Sequence, residues 1–150
     1  MRVGPLQPQP EIRKPRIFVA EDDRAVLELI VTRLTIAGYE TRYGRTGGEA
    51  LEGIRSCKPA AVILDINMPG IDGFEVLRRT KASPTLSTIP VMVLTARNAP
   101  RDVKDALALG ARDYLTKPFK DAVLLARLAR LLRPPPAGGH SRSGDDDLLL

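Results

Sequence analysis

The run Ala60-Ala61-Val62-Ile63-Leu64 ends in Asp65, and this junction constrains the fold more than any other stretch of the chain. Small and aliphatic residues without polar alternation predict a strand covered on both faces. A carboxylate inside such a strand would be an unpaired buried charge, so Asp65 is expected at the strand's carboxyl end. Open α/β sheets have their ligand crevice there. Pro69-Gly70 then turns the chain into a loop. By itself Asp65 can equally be a turn cap, and the remaining elements decide between the two readings.

Arg16–Ala20 reads as a second buried strand, and it too runs into acid, Glu21-Asp22-Asp23. Leu27, Ile30, Val31 and Leu34 follow at helical spacing, with Asp23 expected to cap that helix and Gly38 to end it. Tyr39–Tyr43 predicts a weaker strand, and Gly47–Arg55 a short helix opened by Thr46 or Gly47. After the Asp65 strand, Gly73–Lys81 predicts a helix through Phe74, Val76 and Leu77, stopped at Ser83-Pro84. Pro90–Thr95 predicts a fourth buried strand. Asp102–Leu109 predicts a helix showing Val103, Ala106 and Leu107, closed by Gly110. Ala111–Thr116 predicts a fifth strand, and Lys120–Arg133 a last helix with Leu124, Leu125, Leu128, Leu131 and Leu132 inward. Five strands alternating with five helices make a parallel, helix-covered, doubly wound α/β sheet. Residues 1–15 read as a flexible proline-rich arm, 16–133 as one folded domain, and 134–150 as a disordered Pro/Gly/Asp tail.

The length of 150 residues suits one domain with appendages. No apolar run reaches the roughly 20 residues needed to span a bilayer, and the N-terminus lacks the apolar block of a signal peptide. One cysteine, Cys57, excludes an internal disulfide and a cysteine-built zinc site, so a reducing cytoplasm is the expected setting. Cys57 itself reads as a small packing residue. The net charge of +5 sits in the folded middle, because the arm carries +2 and the tail −2. That would suit nucleic acid, but aromatic residues make up only 4% of the chain and form no stacking platform. His140 is too isolated in the tail to donate phosphate or bind a ligand. Asp145–Asp147 reads as a solvating end or, with Leu148–Leu150, a short docking peptide.

No strand is followed by a glycine-rich phosphate loop. The strand ends carry acid at the first and third, Thr95 at the fourth and Lys117 at the fifth. Each has an everyday explanation: a cap, a hydroxyl on its own backbone, a solvated charge. Together they fit one chemistry. Glu21, Asp22 and Asp65 brought close would repel one another, and a hard divalent ion such as magnesium resolves the repulsion. A strand-end aspartate beside magnesium suits attack on phosphorus to give an aspartyl phosphate, with Thr95 and Lys117 holding phosphoryl oxygens.

These residues resemble the receiver domains of bacterial two-component response regulators, of the CheY-like superfamily, over about residues 16–133. The resemblance rests on Glu21-Asp22, on Asp65 with Met68-Pro69 and Asp72-Gly73, on Thr95-Ala96, and on Lys117-Pro118-Phe119. It implies a flavodoxin-like fold of strand order 2-1-3-4-5 and a cis Lys117–Pro118 bond. Asp65 would be the phosphoacceptor and Asp22 a direct magnesium ligand. Glu21 would hold a metal-bound water, and Asn67 would give its backbone carbonyl to the ion. Ala96 would leave room for phosphate, and Thr95 with Tyr114 would form the switch. A sensor histidine kinase or a histidine phosphotransfer protein would supply phosphate. A downstream protein would be bound through the helix four–strand five–helix five surface, with no direct DNA binding and no membrane.

The sequence therefore reads as a single-domain, cytoplasmic regulator, a monomer or weak dimer, switching partner binding rather than acting as an enzyme. One alternative is a magnesium-dependent aspartyl-phosphate phosphohydrolase. Such enzymes commonly carry a second acid two residues past the nucleophile, where this chain has Asn67. Another is a receiver fragment of a longer DNA-binding regulator, with the proline-rich tail as linker. The winged-helix subfamily is closest in pattern, yet Val103 and Val123 stand where it usually has an arginine–glutamate pair, and Arg112 replaces an aspartate. Its salt-bridged dimer is not expected here. Exposed Arg101, Lys104, Arg112, Arg127 and Arg130 would instead form a basic docking face. Arg97, two residues past the threonine, would cover the phosphoryl group and slow its hydrolysis.

Overall fold

The computed structural model describes residues 4–5, 14–96 and 99–134. Its elements alternate without exception: β1 Arg16–Ala20, α1 Arg24–Ile36, β2 Glu40–Gly44, α2 Gly47–Cys57, β3 Ala61–Asp65, α3 Gly73–Ala82, β4 Val91–Thr95, α4 Pro100–Ala108, β5 Asp113–Thr116 and α5 Asp121–Leu132. Each strand is separated from the next by a helix, so the chain returns to the same end of the sheet before every new strand. All four strand pairings are parallel, and the order is β2-β1-β3-β4-β5. The resemblance implied this order.

Strand residues divide strictly by parity. Phe18, Ala20, Val62, Leu64, Val91 and Val93 face one side and pack with Ala50, Leu51 and Ile54 of α2, Val76 and Leu77 of α3, and Ala106 of α4. Ile17, Val19, Ala61, Ile63, Met92 and Leu94 face the other, against Leu27, Ile30 and Leu34 of α1 and Leu124, Leu128 and Leu131 of α5. Two separate cores follow from the two-residue period of a strand. β3 and β4 are buried at every position, as their unbroken apolar runs predict.

Local signals act as the sequence implies. Asp23 caps α1 by accepting from the amides of Ala25 and Val26, and Gly38 past its end has φ +98°. Thr46 caps α2 by accepting from the Glu49 amide, and Asp72 caps α3 from the Glu75 amide. β2 is shifted one residue later than expected, and β5 begins at Asp113, two residues later than expected, since the Ala111 amide still turns back to the Ala106 carbonyl of α4. Cys57 ends α2 half-buried against the core, and Lys58 beside it takes a left-handed φ of 43°.

α4 departs furthest from expectation. Among its residues only Ala106 is buried, whereas Leu107 is 38% exposed and Val103 is half-buried. Pro100 opens the helix with no side-chain cap, since Ala99 has no acceptor to offer. The helical spacing of Val103, Ala106 and Leu107 thus overstates how much of α4 the core covers. The arm and the tail, including His140 and Asp145–Leu150, lie outside the described residues, apart from Gly4, Pro5, Lys14, Pro15 and Pro134.

Candidate functional site

The order β2-β1-β3 reverses the winding direction between β1 and β3, so their carboxyl ends flank the crevice of the sheet. The register pairs Ala20 with Leu64, one residue before Glu21 and Asp65 respectively. Carboxylate oxygens of Glu21, Asp22 and Asp65 all lie within 4.8 Å of one another. On the far side, Asp65 pairs with Leu94 and Thr95 with Thr116, which brings Thr95 and Lys117 to the same rim. The Lys117 amide donates to the Thr95 carbonyl at 2.8 Å.

Asp65 is 2% exposed and Glu21 fully buried. Asp65 Oδ1 accepts from the Asn67 amide at 2.9 Å, and Oδ2 lies 3.3 Å from Lys117 Nζ. The same ammonium sits 2.6 Å from Glu21 Oε1, while Glu21 Oε2 accepts from the Asp23 amide at 3.1 Å. One lysine thus spans two acids. Burial, helped by the Asp65 carboxylate, pushes Glu21 up to about 7. Burial also acts to raise Asp65, but hydrogen bonds from Glu21, the Asn67 amide and Lys117 outweigh it and hold Asp65 below the usual carboxylate range. Burial acts to lower Lys117, and its two carboxylate partners more than reverse this, keeping it charged. Of the two buried acids, Glu21 is therefore the one that takes up a proton first as pH falls.

The Thr95 hydroxyl is 1% exposed and has no hydrogen-bond partner among the described residues. Beside it an open recess of about 480 Å³ is lined by Ala96, Ala99, Pro100, Val103, Tyr114 and Thr116. A second, apolar recess of about 480 Å³ adjoins Lys117 and is walled by Val26, Leu29, Pro118 and Phe119. The Lys117–Pro118 bond is cis. Asn67 is exposed next to Asp65. Arg97 lies outside the described residues.

Tyr114 is half-buried on β5 beneath Arg127, whose guanidinium lies 5.5 Å from the ring centre. Arg127 also donates to the Tyr114 carbonyl at 2.7 Å and to Asp113 at 3.1 Å, and Arg130 reaches Asp113 at 2.9 Å. This corrects the expected basic face. Arg127 is a half-buried residue bound within its own chain, because Asp113 presents a carboxylate one strand position before Tyr114. Arg101, Lys104 and Arg112 are exposed as expected.

Arg45 was not singled out in the sequence. It lies in the β2–α2 loop and donates through Nη2 to the Asp22 carbonyl at 3.0 Å. A contact between loops 23 residues apart leaves no periodic trace in a sequence.

An acid cluster, a hydroxyl with no partner among the described residues and a lysine thus meet on adjoining strand ends of this sheet. The chain belongs to the response regulator receiver domain family, whose sequence pattern matches residues 17–129. It is similar to the response regulator MprA of Mycolicibacterium vanbaalenii, 43% identical over 129 residues, covering 84% of this chain and 55% of that protein. It is 45% identical over 118 residues to MprA of Mycobacterium ulcerans, covering 79% and 50%. The chain thus spans about half the length of the curated relatives it matches. Among solved structures it resembles a putative response regulator from Chloroflexus aurantiacus, with TM-score 0.77, 35% identity, and coverage of 80% of this chain and 98% of that one. Chemotaxis protein CheY4 of Vibrio cholerae gives TM-score 0.76 at 28% identity, covering 80% and 100%. The chain carries a receiver domain of two-component signalling. No helix among the described residues is long and apolar enough to cross a membrane.

Proposed function

We propose that this receiver is a phosphorylation-dependent switch that takes a phosphoryl group on Asp65 from the phosphohistidine of a sensor kinase or phosphotransfer protein. The observation that carries this reading is the convergence of Glu21, Asp22 and Asp65 within 4.8 Å beside Lys117. Oxygen donors alone, with Glu21 raised by burial and by its Asp65 neighbour, fit a hard divalent cation. Asp22 and Asp65, the Asn67 carbonyl, and Glu21 through water would hold magnesium. When bound, the ion supplies positive charge to the incoming phosphoryl oxygens.

Asp65 offers a carboxylate oxygen to phosphorus while the phosphorus–nitrogen bond breaks and imidazole leaves. Its carboxyl, held below the usual carboxylate range, stays ionised for this role. Lys117 swings from a carboxylate oxygen to a phosphoryl oxygen, and the unpaired Thr95 hydroxyl donates to another. Thr95 moving toward phosphate would let Tyr114 turn into the recess beside it and alter the α4–β5–α5 surface presented to a downstream protein. Residues 16–133 form the folded unit of this reading, flanked by an arm and a tail, in the cytoplasm. Direct DNA binding is not part of it, and Asn67 in place of a second acid argues against a dedicated phosphohydrolase.

Incubation with acetyl phosphate and magnesium, read by intact mass, should add one phosphoryl group to the wild type and none to Asp65→Asn. Phosphoryl gain by that variant would place the acceptor elsewhere.

A further inference from the structure

The three acids are held by different means. Asp65 ends a central strand, and its carboxylate takes the Asn67 amide. Glu21 is buried, and its amide donates to the Gly44 carbonyl at 3.1 Å. Asp22 belongs to neither β1 nor α1 and is only half-buried. Among the described residues the one side chain that hydrogen-bonds Asp22 is Arg45, from Nη2 to the carbonyl at 3.0 Å.

Arg45 is itself well anchored. Its amide donates to Glu49 Oε1 at 3.0 Å, and the Glu49 amide donates to Thr46 Oγ1 at 3.1 Å. The loop is thereby clamped to the first turn of α2, in the manner of a capping box. Arg45 Nε is buried without a partner among the described residues. Leaving a buried donor unpaired is costly, so the loop retains this guanidinium against a local penalty.

We propose that Arg45 is a positioning residue for the cation site. It fixes the peptide that follows Asp22, which limits the backbone rotation of Asp22 and keeps its carboxylate turned toward Glu21 and Asp65. The inference rests on the metal-site reading above. Charge alone predicts the opposite behaviour, because a guanidinium beside a cation site repels the cation and its removal should tighten binding. The sign of the effect therefore separates positioning from simple electrostatics.

The test is calorimetric titration of magnesium into the full chain, as wild type, Asp22→Asn, Arg45→Met and Arg45→Lys, with amide exchange of the metal-free forms alongside. Arg45→Met keeps the aliphatic stem and loses the donors, and it should weaken magnesium roughly three- to tenfold, the equivalent of one hydrogen bond. Arg45→Lys can still donate to the carbonyl and should restore most of the affinity. Exchange at the Asp22 and Asp23 amides should quicken in Arg45→Met while β1 and α1 amides stay unchanged. Equal or tighter magnesium binding by Arg45→Met overturns the proposal. If Arg45→Met does not unfold cooperatively, Arg45→Gln replaces it with partial weakening expected, and undiminished affinity there overturns the proposal equally. Undiminished binding by Asp22→Asn would instead overturn the metal-site reading itself.

Discussion

Glu21 is the residue at which acidity and metal affinity meet. With its folded value near 7 against an ordinary 4.5, the folded chain holds a proton that the unfolded chain has released between those two pH values. Raising pH through that window therefore destabilises the metal-free fold, and the loss is complete above about 7. On the metal-site reading proposed above, a cation bound beside Glu21 would disfavour the same proton. Apparent magnesium affinity should fall by up to tenfold for each pH unit below about 7 and level off above it. Titrations at several pH values check this, and a flat profile between pH 5 and 7 would contradict it. Asp22, Asp65, Thr95 and Lys117 were legible in the sequence because each abuts an apolar run that fixes its place at a strand end. The pairing of Asp113 with Arg127 was not, since an α5 cation that folds back onto β5 has the same spacing as one that faces water.

At the scale of elements, two glycines seat the helices that frame the crevice. A Cβ on Gly73, the first residue of α3, would lie 2.3 Å from Ile66 Cα and 2.5 Å from the Asp65 carbonyl oxygen. A Cβ on Gly47, the first residue of α2, would lie 1.8 Å from the Ile71 carbonyl oxygen. Neither obstacle is a flexible side chain. Gly73→Ala should cost roughly 1–3 kcal/mol and slow phosphorylation by displacing the end of β3, whereas stability falls alone in Gly47→Ala. Gly48→Ala is the control, because its Cβ would meet only Thr46 Oγ1 at 4.0 Å. Urea unfolding of the three variants measures this, and a Gly73→Ala protein as stable as Gly48→Ala would refute the packing argument. Helices were readable from periodicity, and the central strands from unbroken apolar runs. α4 marks the limit of that signal, because periodicity reports which residues align on one face, not whether a neighbouring element covers that face.

At the scale of the whole molecule, Asp113 has its cationic partners in its own chain. Arg127 and Asp113 are largely shielded, with side chains 16% and 12% exposed. A second copy must break these contacts before it can use either residue, so phosphorylation should leave the chain monomeric across this face. Light scattering with and without acetyl phosphate checks it, and a tight phosphate-induced dimer abolished by Asp113→Ala would refute it. The sheet that carries the site also partitions the interior. Val62 and Ile63 are adjacent in the chain, yet they lie in different cores. Alternate codons of each central strand consequently answer to different helical layers, α1 with α5 or α2 with α3 and α4. Substitutions can accumulate in one layer without renegotiating the other. A lineage can thus reshape the flank that meets one partner while the opposite flank keeps its inherited fit, and the carboxylates at the rim stay where both layers left them.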